Sequence, residues 1–168
     1  MKTTGVIRRI DELGRIVRPK KIRKNLRIKD GENLEILVEN NETISLKKYS
    51  TLNKFKELSD AIVKSSNKEI LITDTNLVIS YNGKENYLNK SLSNNYFKLL
   101  ELRKTIKKEN SSINIINDDI LSSYIVEPLI LNGDLIGSLV LLSKGAITRE
   151  EELLADFVSK ILINYIEE

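Results

Sequence analysis

MKTTGVIRRIDELGRIVRPKKIRKNLRIK, residues 1–29, holds eleven Lys or Arg against only Asp11 and Glu12. That is a net charge of +9 in about a sixth of a chain whose total is +3. The remaining 139 residues are therefore net −6, and the positive charge is assigned to one end. The same stretch is patterned to fold. Thr4 to Ile10 is rich in β-branched residues and reads as a strand that ends at Asp11-Glu12-Leu13-Gly14. Arg15 to Arg18 is a second, shorter extended piece running into Pro19, and Pro at a first helical position is preorganised and loses no needed donor. Pro19 to Leu26 is then a two-turn helix with Ile22 and Leu26 on one face. A dense cationic segment that can also fold is the footprint of a polyanion-binding surface.

Working outward, Asp30-Gly31 reads as a turn, and Leu34–Glu39 and Thr43–Lys48 alternate around Asn40-Asn41-Glu42 as a hairpin. The order is β, short β, α, β, β in fifty residues. The composition shifts near Tyr49–Asn53: residues 1–50 are net +6 and residues 51–168 net −3. We expect two domains, 1–50 and 51–168. Fifty residues without a disulfide or a metal bury too little core to stand alone, so the first segment is expected to fold as an intertwined dimer that pools two sets of basic residues.

The second segment reads as a helix from Leu52 to Ser66, a hairpin of Glu69–Asp74 and Leu77–Tyr81, and an amphipathic helix from Asn95 to Glu109. Strands follow at Ser112–Ile116, Tyr124–Leu131 and Leu135–Leu142, and Asn132-Gly133 is a strong hairpin signal. Thr148 with Glu151 forms a capping box that opens a helix from Arg149 to Glu167. Its apolar steps Leu154, Val158, Ile161 and Tyr165 suit helix packing. The class is α+β, an antiparallel sheet flanked by helices.

The chain contains no Cys and no His. Disulfides, thiolate nucleophiles, zinc fingers, His-ligated haem and Ser-His-Asp constellations are all absent. A general base near neutrality would have to be a perturbed carboxylate or lysine, so no enzyme, no metal and no cofactor are expected. The longest apolar run, Leu135 to Leu142, is too short for the roughly 20 residues that cross a bilayer. The N-terminus has no apolar signal region. A cytoplasmic, nucleoid-associated protein with no membrane contact is expected.

The N-terminal string carries a family signature: Thr4-Gly5-Val6-Ile7-Arg8-Arg9-Ile10-Asp11-Glu12-Leu13-Gly14-Arg15-Ile16-Val17, then Pro19, Ile22-Arg23-Lys24, Leu34-Glu35-Ile36 and Leu46-Lys47-Lys48-Tyr49. It resembles the AbrB-type transition-state regulator domain, which implies a swapped-hairpin DNA-binding dimer. Leu71–Asp74, Tyr87–Leu92 and Asn132–Gly137 make the second segment similar to the GAF-like sensor domain of the stage V sporulation protein T family. Together these imply a sporulation transcription regulator, activator or repressor by promoter, on AT-rich double-stranded DNA. They also leave room for a small-molecule effector and for assembly as a dimer or tetramer. The family's DNA contacts map onto Arg8, Arg15, Arg23 and Lys24, with Arg9, Arg18, Lys20 and Lys21 as further candidates. Arg18 stands where the family carries an apolar residue before the proline. An antitoxin that neutralises a toxin protein is the alternative, but it would use a tail that folds on its partner, whereas residues 51–168 are patterned as a folded domain.

Asp11 and Glu12 read as fold residues that cap a turn or pair with a nearby arginine across the dimer. Tyr81, Tyr87, Tyr96, Phe97 and Tyr124 read as core first and as lining of a ligand cavity second.

Overall fold

The computed structural model describes residues 6–25, 27–28, 30–31, 33–39 and 43–167. The chain divides into two compact units between Tyr49 and Ser50.

In the first unit, Ile10 and Ile16 form a single antiparallel bridge. The two extended pieces expected from Thr4 to Arg18 thus reduce to one bridge among the described residues, because a single copy offers them no further strand to pair with. Thr4 and Gly5 lie outside those residues. Helix α1 spans Lys20–Asn25, with the Pro19 carbonyl accepting from the Ile22 and Arg23 amides at 3.0 and 3.2 Å. It ends at Arg27, whose φ of +52° is left-handed. There the Ile28 amide donates back to Arg23 and the Arg27 amide to Lys24, a Schellman closure. Strands β1 (Leu34–Glu39) and β2 (Thr43–Lys48) pair antiparallel from Leu34↔Lys48 to Glu39↔Thr43. The expected turn at 40–42 and Leu26 lie outside the described residues.

The second unit is a five-stranded antiparallel sheet in the order β4-β3-β7-β6-β5. Its strands are β3 (Glu69–Asp74), β4 (Val78–Asn82), β5 (Ile106–Asn114), β6 (Asp119–Leu131) and β7 (Asp134–Ser143). β7 is central and buried on both faces, which explains its continuous apolar run. Leu139 and Leu141 face one side with Ile70, Ile72, Ile125 and Leu129. Val140 and Leu142 face the other with Leu71, Tyr124 and Val126. The first face is covered by α2 (Thr51–Lys54), α3 (Lys56–Ser65) and α5 (Arg149–Glu167); the second by α4 (Asn94–Leu100).

Several elements differ from the sequence reading. The first helix of this unit breaks at Phe55 (φ −102°, ψ 24°), whose amide bonds back only three residues to Leu52. The helix expected over 95–109 stops at Leu100, and Arg103 turns the chain with φ +55°. Residues 106–114 are an edge strand on β6 instead. Its lysines and serines need no apolar neighbour on the open side, so they hide a strand pattern. Val158 in α5 belongs to the chain's own core, with Ala155 and Leu162. The large apolar residues that α5 leaves exposed are Leu153, Phe157 and Tyr165, of which only Tyr165 belongs to the expected steps.

The capping box holds: the Glu151 amide donates to Thr148 Oγ1 at 3.2 Å and the Thr148 amide to Glu151 Oε2 at 3.1 Å. Lys68 Nζ lies 2.9 Å from the other carboxylate oxygen, tying the start of β3 to α5. The Asn132-Gly133 turn has φ of +49° and +83°, as a primed hairpin turn demands.

Two outcomes follow from this packing. A Cβ at Gly137 would stand 1.9 Å from the Thr73 carbonyl and 2.5 Å from Leu52. Gly137→Ala should lower the unfolding free energy by about 2–3 kcal/mol in urea titration. Burial pushes the Glu151 carboxyl up, but the Thr148 amide and the Lys68 ammonium outweigh it and hold it below its ordinary 4.5. Its contribution is therefore complete above that pH and fades as pH falls through the folded value. Glu151→Gln should cost about 1–2 kcal/mol at pH 7, with the gap from wild type closing toward pH 3.

Candidate nucleic-acid interface

The candidate surface lies in the first unit, and its geometry begins at the Gly14 turn. Gly14 has φ +75°, which glycine adopts without strain. Its amide donates to the Asp11 carbonyl at 2.9 Å. Asp11 Oδ1 accepts from the Leu13 and Arg15 amides at 3.0 and 2.7 Å, and Oδ2 from Arg15 Nε at 2.7 Å. Asp11 therefore folds the turn and aims Arg15 from within the same chain. Most of the Arg15 side chain remains in water.

On α1 the residues sort by exposure. Lys20, Lys21 and Lys24 are exposed, as are Arg8 and Arg9 ahead of the turn. Arg23 is half-buried and pairs through Nη1 with Asp30, beyond the end of α1. Its Nε is enclosed without an acceptor. Arg18 is also half-buried, with Nη1 enclosed and unpaired. Six of the eight sequence candidates thus project into solvent, while Arg18 and Arg23 are partly built into the unit. Asp30 had read only as a turn residue. Its role as the counter-charge of Arg23 has no local signal, because the pair is closed by a seven-residue excursion of the chain.

Guanidinium groups offer planar forks that match phosphate oxygens or a guanine edge, and ammonium groups act as point charges. Exposed groups of both kinds are suited to polyanion binding.

In the second unit Tyr96 and Tyr124 are core residues, and Tyr81 and Tyr87 pack against that core. Tyr96 and Tyr124 are buried, and Tyr96 Oη lies 2.8 Å from Ser138 Oγ, itself 2.7 Å from Thr73 Oγ1. Burial pushes the Tyr96 phenol up. Tyr81 donates to Glu69 Oε1 at 2.6 Å and packs on Tyr87. Phe97 is half-buried. An open groove of about 270 Å³ lies on the opposite face of the sheet, between β5–β6 and α5, lined by Lys107, Ile125, Glu127, Leu153 and Asp156 among others. Among the described residues no three Asp or Glu cluster as a metal site, and no helix is long and apolar enough to cross a membrane.

The Arg15 amide and guanidinium and the Leu13 amide hold the Asp11 carboxyl below its ordinary 3.8, against a small effect of burial. The turn's bonds are thus present above that value and are lost as pH falls through the folded one. In an NMR titration the Leu13 and Arg15 amide resonances should move together with a midpoint below 3.8, and Asp11→Asn should abolish the transition.

A family model described as "Stage V sporulation protein T C-terminal, transcription factor" matches residues 51–167. Stage V sporulation protein T of Bacillus subtilis (strain 168) is 40% identical over 161 residues, covering 90% of each chain. The transition state regulatory protein AbrB of the same organism is 51% identical over 49 residues, 29% of this chain and 50% of that one. The GAF domain of an Acinetobacter phosphoenolpyruvate-protein phosphotransferase superposes with a TM-score of 0.53 over 76% of this chain and 85% of that one; at 14% identity this shows a shared fold. The chain belongs to the stage V sporulation protein T family of transcription factors.

Proposed function

We propose that this regulator grips double-stranded, AT-rich promoter DNA with residues 1–50 of two copies, and assembles through residues 51–168. The observation that carries the reading is the apolar surface of the first unit. Ile7, Ile10, Leu13, Ile16, Val17, Ile36, Val38 and Ile44 are all exposed in a single copy, Ile7 to 92%. Ile28 is the one buried hydrophobic residue among those described there. A unit with so little core of its own gains most by covering these side chains with a second copy. Two copies place two sets of Arg8, Arg9, Arg15, Lys20, Lys21, Arg23 and Lys24 on one assembly, and Arg18 adds its charge to the field. Phosphate contacts and DNA shape would dominate such binding, with modest base readout.

The second unit takes the assembly role through α5, where Leu153 and Phe157 lie one turn apart and exposed. A dimer of dimers is the expected product, and a small-molecule effector acting on this GAF-like unit is compatible with it. The regulator acts in the cytoplasm on the nucleoid and carries out no catalysis, a reading supported by its transcription-factor relatives and by a chain without Cys or His. The antitoxin alternative is disfavoured because residues 50–168 form a sheet domain with its own double core.

Fluorescence anisotropy of the full-length protein on AT-rich duplex DNA across a salt series tests the proposal. Contact with about six to eight phosphates gives a log–log slope of about −5 to −7. Arg15→Ala and Arg23→Ala should each weaken binding at least about tenfold and make the slope shallower by about 2 per dimer. Salt-insensitive or absent binding would overturn it.

A further inference from the structure

The stretch 1–29 sets two acidic residues, Asp11 and Glu12, among eleven cations. A carboxylate on a polyanion-binding surface repels what that surface attracts, so each of the two costs attraction. Glu12 is exposed and has no ion pair among the described residues. Asp11 differs, because its two oxygens do separate work. Oδ1 accepts from the Leu13 and Arg15 amides and so folds the turn, while Oδ2 accepts from Arg15 Nε at 2.7 Å. An asparagine could fold the same turn with its one carbonyl oxygen. The second oxygen, and the negative charge it brings, act on Arg15.

Among the described residues Arg15 is the one exposed cation of this unit that a carboxylate holds. Its side chain is 71% exposed, and Nη1 and Nη2 have no acceptor among the described residues. The guanidinium is thus oriented on its Nε side and open along its Nη edge, a fork that matches two phosphate oxygens. Arg8, Arg9, Lys20, Lys21 and Lys24 are exposed without an ion pair among the described residues, so they can swing to meet an anion in many positions. A side chain already held loses less freedom on binding. The Asp11–Arg15 pair is also neutral overall. It adds little attraction for a diffuse polyanion and gains where phosphate meets the open fork. We infer that Asp11 is a specificity residue of the DNA grip: it holds Arg15 with the Nη edge outward for the regularly spaced phosphates of a duplex, and its charge disfavours flexible polyanions. The inference deepens the DNA-binding reading above and rests on it.

Two substitutions separate position from charge. Asp11→Asn keeps an oxygen for the two amides and loses the Nε acceptor and the charge. Glu12→Gln removes the same charge one residue away, where no contact with Arg15 is made. Each is built in the full-length protein and again in Arg15→Ala. Binding is read by fluorescence anisotropy on AT-rich duplex DNA and by competition with heparin, a flexible polyanion. The expected result is that Asp11→Asn weakens duplex binding about tenfold and tightens heparin binding, whereas Glu12→Gln tightens both. In the Arg15→Ala background the sign reverses and Asp11→Asn tightens duplex binding, because only its repulsion is left to remove. Tighter duplex binding in both backgrounds would reduce Asp11 to a repelling charge and overturn the inference. Duplex binding weakened by the same factor in both backgrounds would reduce it to a turn former and overturn it as well. So would an Asp11→Asn protein that binds duplex and heparin equally more weakly. A wild-type protein with no salt-sensitive duplex binding would overturn the DNA-binding reading itself and, with it, the role of Asp11.

Discussion

Strand β7 is apolar on both faces and pairs with β3 on one side and β6 on the other. A strand of this kind cannot sit at an edge or against water, so it must be central and must be covered twice. Most of the second unit answers that requirement. α2, α3 and α5 close one face and α4 the other, and Gly137 lets the backbone of β3 approach where no side chain would fit. The capping box and the Lys68–Glu151 pair then fix where α5 begins over the sheet. Burial supplies most of the stabilisation and the polar contacts select the register.

The first unit shows the opposite balance. It has a hairpin, one short helix and a tight turn, but most of its large apolar side chains stay exposed and Ile28 is the one buried hydrophobic residue among those described. Local polar bonds, Asp11 at the Gly14 turn and Asp30 against Arg23, shape it more than a core does. In the proposed reading a second copy and a polyanion complete what the chain leaves open. The sheet unit, by contrast, has a core of its own on both faces of the sheet, and in the proposed reading it is the part that keeps copies together.

Much of this was legible in the residues. Asn132-Gly133, Thr148 with Glu151, and the pairing of β1 with β2 each depend on a few neighbours, and each appears as read. The boundary between helix and strand at 95–114 was not legible. Ile106 fits a helical count from Tyr96 and Leu99, and nothing local reveals that Arg103 adopts φ +55° or that a thirteen-residue β6 offers backbone partners to a polar strand. The α5 stripe was only partly legible for a related reason: Tyr165 is exposed, whereas Val158 is core. Periodicity shows that a helix is apolar along several lines, while only the position of the sheet decides that Ala155, Val158 and Leu162 turn inward and Leu153 and Phe157 outward.

In the basic surface the same division holds. The sequence by itself determined the charge split, the family signature and the residue types suited to phosphate, because these are properties of composition and of short spacing. Only the tertiary structure decided which cations are free and which are spoken for: Arg15 held by Asp11, Arg23 by Asp30, and Arg18 half-buried with its Nη1 enclosed and without an acceptor. Exposure and pairing depend on how distant segments close on one another. A basic side chain that looks much the same at eight positions in a string therefore meets water, a carboxylate or an enclosure without an acceptor according to the fold around it.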